Sequence, residues 1–281
     1  PGQFPTVLIG SIFYHGNSIV EDAASGKFDK ERAEEVLKIE EEFSEKTGTP
    51  RIVDVCCSWP QAFEGFIGFI ADKIKGPFSI DGATSEVKLA GARYVAEVGL
   101  SERTVYNSIT PQTTETELDI VKESKIKSAI FLTLNARKPT IAGRLEVVDD
   151  LLEKAGRAGI ENILIDTTVL DIPDPGPTSK TIYLVKERHG LPAGCGAHNA
   201  VAMWHKSSRL DKEELKRSAV AANTLPIAMG ANFILYGPIE WAADMYIPCA
   251  VAEAYVAYSM RQEYGIKPLT KDHPLFKIFR M

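Results

Sequence analysis

The polar residues best suited to chemistry in this sequence are short Asp- and Asn-containing motifs that each follow an apolar run. They are Asp81-Gly82, Asn107-Ser108, Asn135, Asp166-Thr167-Thr168 and His198-Asn199. Carboxylates accept hydrogen bonds, and an asparagine amide both donates and accepts them. Basic residues are scarce at these positions, so a phosphate substrate and a Schiff-base lysine are both disfavoured. The set instead suits a neutral heterocycle with several N–H donors and ring acceptors.

The stretch "GCGAHNA" (194–200) places two glycines around Cys195, just before His198 and Asn199. Glycine is used where the backbone must come close to another group, so a flat ring could lie against this segment. His198 could act as a general base or serve a structural role at a helix start. Cys195 could be a nucleophile, but with no basic partner assured beside it we favour a small buried residue.

Each carboxylate and amide also has a purely structural interpretation. Asp81 before a glycine could only form a turn, and Asn107-Ser108 could only cap a helix. Asp166 has the same alternative as a turn or cap residue. Asp54 lies inside its strand and is interpreted as an interior hydrogen-bonding residue. The functional hypothesis depends on all of these motifs lying at one rim.

The elements that must position these residues alternate between apolar runs of strand type and amphipathic helical stretches. The predicted strands are 6–12, 51–57, 77–82, 103–109, 128–134, 162–168, 193–199 and 232–239. The predicted helices are 29–48, 62–76, 84–99, 113–125, 143–159, 178–190, a pair within 198–230, and 242–265.

Nearly continuous apolar strands indicate a parallel sheet that is buried on both faces. Eight strand–helix units predict a (β/α)₈ TIM barrel as one domain over 1–281, whose functional residues lie at the carboxyl ends of the strands. A doubly wound open sheet is the alternative, but "GSIFYHGN" after the first strand is not its Gly-rich turn.

Composition narrows the classes of partner. The chain has 281 residues, with 44% apolar and 25% charged residues, which is an ordinary globular mixture. The net charge of −6 argues against a nucleic-acid binder. No apolar run is long enough to span a membrane. The four cysteines form no CxxC pair, so we expect a reducing cytoplasm and no metal site. The chain begins close to an apolar strand, and we expect a short upstream segment to be absent from this numbering.

Several motifs together resemble one known family. They are "PTVLIGSIFY" (5–14), "GKFDKERAEE" (26–35), "PFSIDG" (77–82), "AEVGLSERTVYNSI" (96–109), "LIDTTVLDIP" (164–173) and "GLPAGCGAHNAVAMW" (190–204). These stretches resemble the H subunit of tetrahydromethanopterin S-methyltransferase and its bacterial relatives, the methylcorrinoid:tetrahydrofolate methyltransferases. They follow the family's order over most of the chain. More distantly, the pattern is similar to the pterin-binding TIM barrels, which include dihydropteroate synthase.

The resemblance implies a site for a tetrahydropterin. The residues that it implies for binding the ring are Asp81, Asn107, Ser108 and Asp166, with Gly194 and Gly196 letting the ring approach the backbone. It further implies that Asn199 is the catalytic residue and lies near N5, the nitrogen that carries the methyl group.

The implied reaction moves a methyl group between a corrinoid and N5 of the pterin. The sequence lacks the Asp-x-His-x-x-Gly pattern of corrinoid carriers, so a separate corrinoid protein must supply the cobalt. Tetrahydrofolate is the favoured pterin, because "FYHGNSIV" (13–20) departs from the Gly-His-Lys of archaeal members. Tetrahydromethanopterin, used by a protein of the archaeal H-subunit type, is the alternative.

Other properties and functions stay open as predictions. The apolar last helix and the resemblance both favour a homodimer. A dihydropteroate-synthase-like condensation is a second candidate function, although it would need basic residues at the mouth for pyrophosphate. A pterin-binding subunit without catalytic activity is a third.

Overall fold

A computed structural model of the chain describes residues 1–207 and 209–281. Its strands in chain order are β1 (Val7–Ile12), β2 (Val20–Asp22), β3 (Lys27–Phe28), β4 (Arg51–Cys57), β5 (Phe78–Gly82), β6 (Thr104–Ile109), β7 (Ser128–Leu132), β8 (Asn162–Asp166), β9 (Ala193–Cys195) and β10 (Phe233–Pro238). β2 and β3 form a small antiparallel hairpin. The other eight strands pair in parallel and close into a barrel in the order β1-β10-β9-β8-β7-β6-β5-β4. The predicted (β/α)₈ barrel is therefore confirmed, and the open doubly wound sheet is wrong.

Helices surround the barrel. They are α1 (Lys30–Thr47), α2 (Pro60–Lys73), α3 (Ser85–Glu97), α4 (Glu115–Glu123), α5 (Ile141–Glu146), α6 (Val148–Ala158), α7 (Pro175–His189), α8 (His198–His205), α9 (Lys212–Ala228), α10 (Ala242–Tyr264) and α11 (Pro274–Lys277). Short 3₁₀ turns cover Ser101–Arg103, Ile239–Trp241 and Ile278–Arg280. The sequence allows either Thr84 or Ser85 to cap α3, and the structure has Thr84 as the cap, whose hydroxyl accepts a hydrogen bond from the Val87 amide at 3.4 Å. The predicted helix 143–159 is in fact two helices, which meet at Val147.

One strand boundary differs from the prediction in a way that matters for the site. β9 ends at Cys195, and His198 and Asn199 are the first two residues of α8, not the end of a strand. The chain turns at once, because the Asn199 backbone N–H donates to the Gly196 carbonyl at 3.1 Å. The Asn199 side chain is therefore carried by the first turn of a helix.

The interior of the barrel is layered. Near the amino ends of the strands, a cluster of apolar side chains fills the barrel, formed by Ile9, Val105, Ile130, Phe233 and Leu235, with Val7, Ile52 and Leu164 packed against it. Successive residues of a strand point to opposite faces, so the next inward-facing position lies two residues further along. On four strands that position is polar: Ser11, Asp54, Asn107 and Asp166. An apolar plug thus closes the bottom of the barrel, and a polar layer lies above it at the mouth.

No helix in the described ranges combines the length and the apolar composition that crossing a membrane would require. The longest helix, α10, carries Asp244 and Glu253 and packs against α1, α9 and α11.

Candidate functional site

Asp54 is the centre of the polar layer. It is fully buried and accepts hydrogen bonds from the Ser79 hydroxyl at 2.5 Å, the Ser11 hydroxyl at 3.0 Å and the Asn107 side-chain amide at 3.2 Å. Its carboxylate thus joins β4 to β1, β5 and β6. The interpretation of Asp54 as an interior hydrogen-bonding residue is confirmed, but one of its partners is a predicted site residue.

Asp81 and Asn107 lie side by side on β5 and β6, where they are directly paired. The Asn107 amide nitrogen is engaged by Asp54, so its carbonyl oxygen is the atom left to bind a ligand, as an acceptor. The pKa of Asp81 is raised to about 8, because burial disfavours the charged form and the Asp54 carboxylate repels it. Asn107 is therefore disposed to accept a hydrogen bond, whereas Asp81 is mainly protonated at neutral pH and becomes an acceptor with both oxygens when it ionises.

Asp166 lies at the end of β8, opposite Gly194 on β9. Its Oδ1 accepts from the Thr168 N–H at 2.7 Å, and Thr168 has a φ of 53°. The Oδ2 atom makes no hydrogen bond to any residue that the structure describes. Burial raises the pKa of Asp166 to about 7. One Asp166 oxygen thus has the turn role that the sequence analysis considered, and the other has no hydrogen-bond partner among the described residues. Ligand binding by Asp166 stays a prediction.

Asn199 is exposed at the mouth, in contrast to the buried acid residues. Its neighbour His198 has its Nδ1 at 2.8 Å from the Leu235 carbonyl oxygen. Burial lowers the pKa of His198, so the imidazole is neutral and its Nδ1–H donates to this carbonyl. Gly237, with a φ of 109°, leaves room for the imidazole ring, since a Cβ there would lie 3.1 Å from it. His198 therefore anchors the start of α8 and leaves the adjacent Asn199 amide free.

We use the name "cup" below for Asp54, Asp81, Asn107, Asp166 and Asn199. Asn107 is hydrogen-bonded to Asp54, Asp81 lies beside Asn107 on the neighbouring strand, and Asp166 lies on the other side of the barrel. The two sides face one interior, because Asp54, Asn107 and Asp166 all lie two residues beyond the apolar cluster that fills the closed barrel. The cup offers two buried acceptor residues, Asn107 and Asp166, with the partly buried Asp81 and one exposed amide.

The two glycines of "GCGAHNA" differ in what surrounds them. A Cβ on Gly194 would lie 2.1 Å from the Phe233 carbonyl oxygen and 2.7 Å from the Phe233 ring. A Cβ on Gly196 would lie 3.1 Å from the Asn199 amide nitrogen. Packing between β9 and β10 alone thus explains Gly194, whereas Gly196 gives space to the Asn199 side chain.

Three further polar or thiol-containing groups near the mouth have structural explanations. Asn135 holds its own loop, donating to the Gly143 carbonyl at 3.0 Å and accepting from the Lys138 N–H at 3.1 Å. Burial raises the pKa of Cys195, so it stays a thiol. Ligand atoms of Asp54, Cys56 and Asp81 lie within 4.8 Å of one another, but the Asp54 oxygens already accept hydrogen bonds. The three residues are better explained as a hydrogen-bonded group, and we assign no metal to them.

The sequence analysis missed a buried ion pair beside the cup. Lys88 on α3 donates to the Ser108 carbonyl at 2.7 Å and to Glu117 on α4 at 2.9 Å. The partners lie 29 residues apart on two helices. Nothing in the spacing of either helix indicates that they meet, so no sequence signal could have found this pair.

Comparison with known proteins shows close relatives over nearly the whole chain. A family model described as the tetrahydromethanopterin S-methyltransferase MtrH subunit matches residues 1–269. The H subunit of that enzyme from Methanothermobacter thermautotrophicus is 37% identical over 99% of this chain and 93% of its own length. The Methanopyrus kandleri protein of the same name is 33% identical over 98% and 92%. The H subunit of a putative mtx methyltransferase of Methanosarcina barkeri is 34% identical over 98% and 92%.

Solved structures with a similar fold are dihydropteroate synthases. The Coxiella burnetii enzyme in complex with pteroic acid has a TM-score of 0.64 at 15% identity, over 92% of this chain and 94% of that one. The Xanthomonas albilineans enzyme in complex with 7,8-dihydropteroate has a TM-score of 0.59 at 17% identity, over the same shares. Identities this low show a shared barrel fold and nothing about the reaction.

A substitution at Gly194 tests whether packing or ligand binding requires this glycine. We expect Gly194→Ala to lower the free energy of unfolding by about 3 kcal/mol, because overpacking against Phe233 forces the strands apart. The matched control is Gly156→Ala in α6, where a Cβ meets open space and should be neutral or stabilising. Urea unfolding measures both. Unchanged stability at position 194 would contradict the packing explanation.

Proposed function

The chain belongs to the tetrahydromethanopterin S-methyltransferase MtrH subunit family, and from that premise we propose that it moves a methyl group between a partner's corrinoid and N5 of a tetrahydropterin. As a member of that family it is a methyltransferase subunit. The pterin, the direction of transfer and the roles of individual residues are proposals, and the geometry of the cup supports them as follows.

The observation that carries the proposal is the set of acceptors in the cup. Asn107 offers its carbonyl oxygen, Asp166 its Oδ2, and Asp81 a carboxyl group. The pyrimidine edge of a tetrahydropterin carries an amino group and ring N–H groups, which are donors. A donor-rich flat ring is complementary to a buried surface of acceptors, because each buried polar atom then finds a partner.

The reaction requires three atoms in a line: cobalt, the methyl carbon and N5. The corrinoid supplies or takes up the methyl group, and the pterin must be held so that N5 faces the mouth. Toward the pterin, N5 would attack the methyl carbon while the bond from that carbon to the corrinoid cobalt breaks and its electron pair stays with cobalt; N5 would then lose its proton to solvent. Holding the ring rigidly accounts for much of the acceleration, because a bimolecular step becomes effectively unimolecular. The buried acceptors of the cup are suited to this role.

Asn199 is suited to act on N5. Its amide is exposed at the mouth, where a methyl donor would approach, and its side chain makes no hydrogen bond within the described residues. In the reverse direction the leaving nitrogen develops charge, and a hydrogen bond that strengthens with this charge stabilises the transition state more than the ground state. A neutral amide does not supply the proton itself.

The comparisons support tetrahydromethanopterin as the pterin, because the names of the most similar relatives carry it. Tetrahydrofolate, which the sequence analysis favours, has no support among them. The two pterins share the bicyclic ring that the cup would bind and differ in the tail. The cup residues are therefore compatible with either pterin. Measured affinities for the two pterins, which differ in their tails, would distinguish them.

The corrinoid partner is proposed on two grounds. The relatives are named as subunits, which indicates that they act within larger enzymes. At the mouth, Trp59 directly follows β4 and is 47% exposed, so a flat apolar surface is available to a docking protein. Large exposed aromatic residues are common where proteins meet.

A homodimer is proposed from the surface of α10. Tyr255 and Tyr264 are 63% and 71% exposed, and they line a groove of about 900 Å³ between α7, α9 and α10. Exposed tyrosine rings are enriched where proteins meet. Because this surface holds both a groove and protruding rings, a two-fold-related copy can place its tyrosines in the groove of the other.

The proposed function is tested by methyl transfer from free methylcobalamin to each tetrahydropterin. We expect transfer with the wild type and tighter binding of tetrahydromethanopterin in calorimetry. Asn199→Ala should lower kcat about 100-fold while the Kd for the pterin changes less than about threefold, because only the transition-state contact is lost. Asn162→Ala, an exposed asparagine at the opposite end of the barrel, is the control. Pterin binding without transfer would favour a non-catalytic subunit.

The role of Asp166 is tested by the pH dependence of pterin binding. A carboxylate accepts ring donors better than a carboxylic acid, so wild-type affinity should rise as pH increases through about 7, where Asp166 ionises. Asp166→Asn should weaken binding about 10- to 100-fold at pH 8 and much less at pH 5.5. Asp171→Asn, an exposed residue in the same loop, is the control. Equal affinities for wild type and Asp166→Asn at pH 8 would refute the assignment.

The dimer is tested by the molar mass in solution. Light scattering should give twice the mass of one chain for the wild type. Tyr255→Arg combined with Tyr264→Arg should give a monomer, because two charges would be buried at the interface. Val98→Arg, an exposed apolar residue on the far side at the end of α3, should remain dimeric. A monomeric wild type would refute the proposal.

A further inference from the structure

Lys88 lies beside the cup and is almost completely buried, with 12% of its side chain exposed. Its ammonium donates to the Ser108 carbonyl at 2.7 Å and to the Glu117 carboxylate at 2.9 Å. It also lies over the Tyr106 ring, 5.2 Å from the centroid. A buried lysine with this many partners is held in one position.

Glu117 is the anionic partner of Lys88. Burial by itself would raise the pKa of Glu117, but hydrogen bonds from Ser85, Lys88 and Tyr106 lower it below the ordinary value. The Tyr106 hydroxyl donates at 2.7 Å, and the Ser85 hydroxyl is also in contact. The carboxylate is therefore ionised, and it pairs with Lys88 where either charge alone would be costly.

Gly82 brings Lys88 to Asp81. A Cβ at position 82 would lie 2.5 Å from the Lys88 backbone nitrogen, so the glycine lets the first turn of α3 pack against the end of β5. This explains the Asp-Gly pair that the sequence presents as a simple turn. The helix start, with Lys88 in its first turns, is thereby placed next to the Asp81 carboxyl group.

Two effects on the cup follow from this position. Lys88 fixes the Ser108 carbonyl, and Asp54 fixes the Asn107 side chain, so the segment is held from both ends. The charged groups that act on Asp81 are Asp54 and Lys88, with the Cys56 thiol beside it. Of these, Asp54 opposes ionisation of Asp81, and Lys88 favours it.

We propose that Lys88 is a positioning residue of the cup, which holds the Asn107-Ser108 segment in place through the Ser108 carbonyl and provides a positive charge that favours the carboxylate form of Asp81 when it binds a ring donor. This proposal rests on the proposed function, because the ring donor is that of a tetrahydropterin.

The chain provides a matched control. Lys154 on α6 donates to the Thr113 carbonyl at 3.0 Å, in the connection that leads from the end of β6 held by Lys88 to α4. It is not among the groups that act on Asp81. Removing Lys154 therefore loses a lysine-to-carbonyl contact of similar length without changing the charge at the cup.

The experiment combines two readouts on Lys88→Met, Lys88→Arg and Lys154→Met. The first is an NMR titration of the Asp81 carboxyl carbon in the protein without pterin, assigned with Asp81→Asn. We expect Lys88→Met to move the titration midpoint upward by about one pH unit, since a favourable charge is lost.

The second readout is calorimetry with a tetrahydropterin at several pH values, in which the affinity of Lys88→Met at pH 7 should be about tenfold lower than that of the wild type. Lys88→Arg should restore most of both effects, and Lys154→Met should cause neither.

A second variant guards against loss of folding in Lys88→Met. Glu117→Gln removes the charge that balances Lys88, so the Asp81 midpoint should move downward. The proposal is overturned if the midpoint stays unchanged in both the Lys88→Met and the Glu117→Gln proteins, or if Lys154→Met shifts it equally. A wild type that binds no tetrahydropterin would refute the proposed function, and the titration without pterin would still decide what Lys88 does to Asp81.

Discussion

The site depends on one buried carboxylate. Asp54 joins β4 to β1, β5 and β6 through Ser11, Ser79 and Asn107. A carboxylate without exposure needs several donors, because desolvation is otherwise too costly. Those donors come from neighbouring strands, so the same bonds that satisfy Asp54 also fix the relative positions of the strand ends. They turn the Asn107 amide so that its oxygen faces a ligand, and the Asp54 charge raises the pKa of Asp81. Recognition and protonation in the cup both follow from this constraint.

The acidic residues of the cup have the electrostatic properties expected of a site that binds hydrogen-bond donors. Asp81 and Asp166 both have pKa values raised to about neutrality by burial. A ring with N–H donors relieves that penalty, because its hydrogen bonds replace the lost water. Lys88 brings a positive charge near Asp81, and Glu117 balances that charge within the ion pair, so the site as a whole is not basic. An acidic cup with little net positive charge is a poor fit for a pyrophosphate and a good fit for an uncharged heterocycle.

The barrel itself does not decide the reaction. Dihydropteroate synthases share the fold at 12–17% identity, and function in such barrels is determined by the residues at the strand ends. Here, Asn199 is exposed on the first turn of α8, which His198 anchors. In the proposed function, an exposed amide at the rim, above buried acceptors, separates the place where the ring would be held from the place where a second, large reactant would arrive. That division suits a methyl transfer between two bulky partners.

The sequence by itself determined the barrel, its eight strands and the rim position of Asp81, Asn107 and Asp166. These follow from local rules: the length and apolarity of each run and the common edge at which parallel strands end. Only the tertiary structure decided that Asp54 orients Asn107, that Phe233 excludes a side chain from Gly194, and that Lys88 meets Glu117. The predicted strand 193–199 and the predicted helices within 198–230 both include His198 and Asn199, and the structure assigns these residues to the start of α8. The reason is physical: such contacts depend on how each strand is staggered and how each helix is rotated against the barrel, and these are set by packing of the whole chain, not by spacing within one element.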